Sequence, residues 1–111
     1  MSPTRRGDVW WVAFGPSTGG EIQKTRPAVV VSNNAANAVL NRLVCVPLSR
    51  QTSKVYRSEA LVRVGTTAAK AMADQIATIS VQRLRAQLGA ISETDLRAVE
   101  DAILRHLAIR R

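Results

Sequence analysis

The sequence predicts a small, mostly antiparallel β-barrel with a C-terminal helix. Three observations carry this expectation. Short apolar runs rich in β-branched residues recur between turn signals along residues 8–91. Only the last segment spaces its apolar residues as a helix does. The chain has 111 residues, 46% of them apolar, enough for one core and too few for two. Residues 1–111 are therefore read as a single domain.

The first strand is Gly7 to Phe14, ended by the turn signal Gly15-Pro16-Ser17. Within it Trp10 and Trp11 must face opposite sides of the sheet. One belongs in the core, and the other needs a second sheet, a subunit partner or a ligand. Residues 15–25 form a long loop with three Gly and one Pro, whose small polar composition predicts mobility. The second strand runs from Pro27 to Ser32. Asn33-Asn34 then caps a short helix through Ala35, Ala36 and Ala38. Arg42 to Leu48 reads as the third strand, and Glu59 to Val64 as a half-exposed one. After the Gly65-Thr66-Thr67 turn, Lys70 to Ile79 is either a strand pair or one bent strand. Ser80 to Leu84 suits a single helical turn, and Arg85 to Ile91 a last short strand. Ser92-Glu93-Thr94-Asp95 resembles a capping box. The apolar stripe Leu96, Val99, Ile103 and Leu107 follows it at helical spacing.

The formal charge is +8, from 16 Lys plus Arg against 8 acids. Residues 92–111 are neutral, because Glu93, Asp95, Glu100 and Asp101 balance Arg97, Arg105, Arg110 and Arg111. All of the excess lies in residues 1–91, and most of the bases are arginine. That pattern suits phosphate recognition or an acidic protein partner. Cys45 is the only cysteine, which excludes an internal disulfide and a cysteine-based metal site. Its apolar neighbours make it a core residue. No apolar stretch approaches a membrane span, and Thr4-Arg5-Arg6 is not followed by a signal-peptide core. A cytoplasmic protein without a membrane partner is expected.

The second strand carries the most pointed signal. Gly19-Gly20-Glu21-Ile22-Gln23-Lys24-Thr25-Arg26-Pro27 runs into Ala28-Val29-Val30-Val31. Pro is tolerated at a strand start, and it holds the preceding residue extended. Arg26 is thus fixed at the strand mouth beside the loop with Glu21 and Lys24, a good arrangement for holding a phosphate. Most enzyme classes are excluded. His106 stands alone, no Ser/His/Asp set is present, the acids are not spaced as a metal cage, and the Gly-rich loop lacks Gly-Lys-Ser/Thr. A catalyst here must use Arg, Glu, hydroxyls and backbone amides. RNA cleavage by its own 2′-hydroxyl needs little more than alignment, charge stabilisation and help to the leaving oxygen. If the second and third strands are antiparallel neighbours, Arg26 and Ser49 lie at the same end of the sheet.

The chain resembles the MazF/PemK family of toxin endoribonucleases. The likeness rests on Arg6-Gly7-Asp8-Val9-Trp10, Gly20-Glu21, Arg26-Pro27-Ala28-Val29-Val30-Val31-Ser32-Asn33, Val46-Pro47-Leu48-Ser49, Ala73-Asp74-Gln75-Ile76 and the helix Leu96 to Leu107. The resemblance implies an SH3-like barrel of the CcdB/Kid/MazF type that forms a homodimer. It implies metal-independent cleavage of single-stranded RNA at a short sequence, leaving a cyclic phosphate and a 5′-hydroxyl, without a cofactor. It also implies a cognate antitoxin with an acidic C-terminal segment. The family's catalytic arginine, threonine and loop glutamate fall on Arg26, Ser49 and Glu21. Serine keeps the hydroxyl but loses the methyl that restricts its rotamer. Glu21 is left as either a base or an orienter of Arg26. Lys24, Thr25, Arg50, Lys54, Arg57 and Gln75 are the candidate RNA contacts. For the basic residues the alternative is a solvated surface, and for Gln75 a role in satisfying backbone groups. Two other readings stay open: a gyrase-binding toxin of the same fold, which need not keep Arg26-Pro27 and the Ser49 hydroxyl, and a non-catalytic binding barrel.

Overall fold

The computed structural model describes residues 4–15, 19 and 24–110. Seven strands and two helices follow in the order β1 (Asp8–Ala13), β2 (Thr25–Val30), α1 (Asn34–Val39), β3 (Arg42–Ser49), β4 (Glu59–Val64), β5 (Thr67–Met72), β6 (Ala77–Ser80), β7 (Leu84–Ala90) and α2 (Glu93–His106). The strands form one antiparallel sheet in the order β4-β5-β3-β2-β1-β7, with β6 also on β3.

Alternation along the strands decides which face each side chain serves. Val9, Val29, Val46 and Leu48 join Val99 and Ala102 of α2 in one core. Val12, Ala28, Val30, Leu43 and Cys45 form a second core on the other face, with Trp10 packed against it. Trp10 and Trp11 therefore part company as expected: Trp10 is half-buried, while Trp11 is exposed. Burial pushes the Cys45 thiol up to about 12, so it stays protonated and unreactive.

The sheet curls but is not closed by a ladder between β4 and β7. The two strands instead approach where Gly89 faces Val64; a Cβ on Gly89 would stand 3.3 Å from Val64 Cγ1. The curl is assisted by register shifts in the β1–β7 pair on either side of Trp10-Trp11.

The expected elements are present, with informative differences. The second strand starts at Thr25, so Arg26 lies inside it rather than at its mouth. Pro27 opposes Trp11 of β1, and the ladder to β3 begins only at Ala28, so the proline is paired on one side alone. The same strand ends at Val30 because the Ser32 hydroxyl takes over, accepting from Val44 N–H at 3.0 Å. Residues 70–79 are a strand pair. β5 and β6 both lie on β3, separated by a 3₁₀ turn at Ala73–Gln75.

Asn33 caps α1 and Ser92 caps α2, each accepting a backbone N–H three residues on. The capping box is altered, however. The Asp95 carboxylate accepts from Arg63 N–H at 2.9 Å and so ties α2 to β4. Leu107, the expected end of the apolar stripe, caps the helix and is half exposed. No helix among the described residues is long and apolar enough to cross a membrane.

Candidate functional site

Antiparallel pairing brings the start of β2 and the end of β3 together. The register runs Val30↔Cys45, Val29↔Val46, Ala28↔Pro47. The ladder gives out beyond Ala28 and Pro47, and Arg26 and Ser49, each two residues further along, both line the cleft at this end. Beyond Ser49 the sheet goes on through Lys70 of β5, its ladder partner.

A cleft of about 480 Å³ opens at this end. Lys24, Thr25, Arg26, Ser49, Arg50 and Thr67 supply its polar lining, and Trp11, Pro27, Leu48, Val64, Ala69 and Leu88 its apolar lining. Every charged side chain among the described residues lining it is a cation. Such a cleft attracts an anion, and its apolar wall offers contact area to flat or aliphatic groups.

The polar side chains are held in different ways. The Ser49 hydroxyl accepts from Gln51 N–H at 3.2 Å. That bond restrains a rotamer that serine, lacking a β-methyl, would otherwise leave loose, and the hydroxyl proton remains available to donate. Lys24 sits in the left-handed region, with φ 64. It exchanges backbone hydrogen bonds with its neighbours: Phe14 N–H donates to Lys24 O at 2.9 Å, and Lys24 N–H to Gly15 O at 3.1 Å. The loop is thus pinched where it rejoins the sheet. Arg26 is exposed, and its guanidinium makes no hydrogen bond to another described residue. Glu21 lies outside the described residues, as does most of the 15–25 loop.

Of the other sequence candidates, Thr25 and Arg50 line the cleft, whereas Lys54, Arg57 and Gln75 do not. Lys54 lies in the β3–β4 connection, its ammonium 5.5 Å from the centre of the Tyr56 ring. Arg57 lines a separate groove with Asp101, Leu104 and Arg105 of α2, and its carbonyl accepts from Arg105 Nε at 2.9 Å. Gln75 ends the 3₁₀ turn between β5 and β6.

The wall formed by the β4–β5 hairpin and Leu88 is not among the features expected from sequence. Its signal is present in Gly65-Thr66, a two-residue turn with Gly65 at φ 62. Equally unexpected is the buried Lys70–Glu59 ion pair next to Ser49, with a nitrogen–oxygen distance of 3.1 Å. No spacing in the sequence announces that pair.

The fold and cleft define a class: small curled antiparallel sheets backed by a C-terminal helix, with a cationic cleft at one end. The model of the PemK-like, MazF-like toxins of type II toxin–antitoxin systems matches residues 5–107, and the chain belongs to that family. Endoribonuclease MazF9 of Mycobacterium tuberculosis is 38% identical over 93% of this chain and 95% of its own length. The crystal structure of MazF from Deinococcus radiodurans superposes with a TM-score of 0.85 at 23% identity, covering 98% of this chain and 100% of that one. An endoribonuclease in complex with its cognate antitoxin, from a mycobacterial species, superposes with a TM-score of 0.81 at 22% identity, covering 97% of this chain and 98% of that one.

Proposed function

We propose that this chain is the toxin endoribonuclease of a toxin–antitoxin pair. In this reading it cuts single-stranded RNA at a short sequence without a metal and acts in the cytoplasm. The carrying observation is that Arg26, two residues before the β2–β3 ladder, and Ser49, two residues after it, line one cleft whose described charged groups are cations. That placement favours cleavage over the gyrase-binding alternative, which needs neither group.

The reaction uses the substrate's own nucleophile. The 2′-hydroxyl oxygen attacks the adjacent phosphorus and gives up its proton. The bond from phosphorus to the 5′-oxygen breaks, and that oxygen takes a proton. The products are a 2′,3′-cyclic phosphate and a 5′-hydroxyl. The Arg26 guanidinium is a permanent cation with a fork of N–H donors, suited to the charge that builds on the non-bridging oxygens. The Ser49 hydroxyl can donate to the same phosphate. Glu21 takes the 2′-hydroxyl proton or orients Arg26. Lys24, Thr25 and Arg50 would hold neighbouring phosphates along the cleft. Contacts by Arg57 and Gln75 would require the strand to run past it.

The direct test is cleavage of a long RNA in excess chelator. Undiminished cutting is expected, with a cyclic phosphate on the upstream fragment. Activity lost in chelator and restored by a divalent ion would overturn the mechanism.

We further propose that the toxin is a homodimer. Leu61 on β4 and Leu107 at the end of α2 are about half exposed and lie outside the cleft. Sedimentation at micromolar concentration should show a dimer, and monomer alone would refute the proposal.

An antitoxin with an acidic C-terminal segment would be drawn to the same cationic cleft. Its apolar side chains would settle near Trp11. Raising salt should weaken this binding without abolishing it, and the peptide should displace RNA. Simultaneous binding of peptide and an uncleavable RNA, with no mutual loss of affinity, would show that the two do not share a surface.

A further inference from the structure

Next to Ser49, the β3–β4 connection displays an aromatic ring that the described core does not use. Tyr56 is 59% exposed. Its backbone is nevertheless tightly held: Tyr56 N–H donates to Glu59 Oε1 at 2.9 Å, and Glu59 N–H donates to Tyr56 O at 3.0 Å. Two residues earlier, the carbonyl of Lys54 accepts from Lys70 Nζ at 3.0 Å. Lys70 and Glu59 are both buried and paired with each other. A buried ion pair thus grips the backbone on both sides of residue 55. The ammonium groups of Lys54 and Lys70 each stand 5.5 Å from the centre of the Tyr56 ring.

Ordering a loop around an exposed ring costs conformational entropy and buries little apolar surface. Retaining a buried ion pair is a weak source of stability and suits a role in fixing geometry. Lys70 is moreover the ladder partner of Ser49, so the held segment lies beside the proposed catalytic end.

We infer that Tyr56 and Lys54 form a nucleotide subsite on the RNA strand flanking the cut, with the Lys70–Glu59 pair as its positioning device. Tyr56 stacks one nucleobase, and Lys54, exposed and held only by a weak ring contact, turns to the adjoining phosphate. A flat ring serves any base, so the subsite adds affinity at a defined distance from the cut. This inference rests on the nuclease reading given above.

The test uses 2′-O-methyl RNA, which cannot be cleaved because its attacking hydroxyls are blocked, with 2-aminopurine at successive positions. Wild type and Tyr56→Phe should quench the fluorescence at one position. Tyr56→Ala should abolish that quench and weaken binding about tenfold. On cleavable RNA the same variant should lose activity mainly through KM. A quench that survives Tyr56→Ala, or a Tyr56→Ala variant that binds RNA normally and loses only an acidic peptide, would overturn the subsite. The binding readout needs no cleavage. Failure of the nuclease reading would show separately, as wild-type protein leaving a long RNA intact.

Discussion

Arg26→Ala should lose RNA cleavage by about a hundredfold or more while the protein stays folded. The size follows from the role: removing one donor aimed at charge that develops only in the transition state typically costs that much. The intact fold follows from the surroundings. Arg26 is exposed and its side chain bonds to no other described residue, so the substitution belongs with surface changes worth about 0.5 kcal/mol or less. Unfolding curves of the variant and wild type should therefore nearly coincide. Arg26→Lys should recover little, because lysine keeps the charge and loses the planar fork. Ser49→Thr should be tolerated and Ser49→Ala should not, since the hydroxyl is the shared element. A folded Arg26→Ala protein that cuts at near the normal rate would move the active site elsewhere.

The common placement of Arg26 and Ser49 at one cleft is legible in the sequence because it depends on local rules. Pro27 and the apolar run after it mark the second strand to within two residues of its start at Thr25. Ser49 marks a strand end. Antiparallel pairing of neighbours does the rest. Strand boundaries are less legible where a side chain replaces a backbone partner, as the Ser32 hydroxyl does at the end of β2.

Long-range polar contacts are not legible. Asp95 reads as half of a local capping box, yet its carboxylate serves Arg63, 32 residues away. Arg57 reads as one more cation on a basic loop, but its carbonyl and groove face α2. Lys70 sits in a run of small residues and looks like an ordinary strand position. Only the folded chain brings Glu59 and the Lys54 carbonyl to its ammonium. Periodicity reports which face a residue takes, and it carries no information about which distant polar group waits there.

Lys70→Met should destabilise the protein by about 3–5 kcal/mol, because it leaves the Glu59 carboxylate buried without its cation. Against a total stability of about 5–15 kcal/mol, a loss of that size would shift the denaturant midpoint markedly. Wild type and variant must be compared at one protomer concentration, since dimerisation would couple stability to concentration. The double variant Lys70→Met, Glu59→Leu should recover most of the loss, since replacing both members of a buried pair by apolar groups is often neutral or better. Recovery would not be complete. Tyr56 N–H would lose the Glu59 acceptor, and the Lys54 carbonyl would lose its donor. Those are the contacts that hold the 54–56 segment. The double variant should therefore be stable yet bind RNA more weakly than wild type, separating what the pair does for the fold from what it does for the loop. A Lys70→Met protein within about 1 kcal/mol of wild type would mean that Glu59 finds water or another partner, and that the pair is not the anchor its geometry suggests.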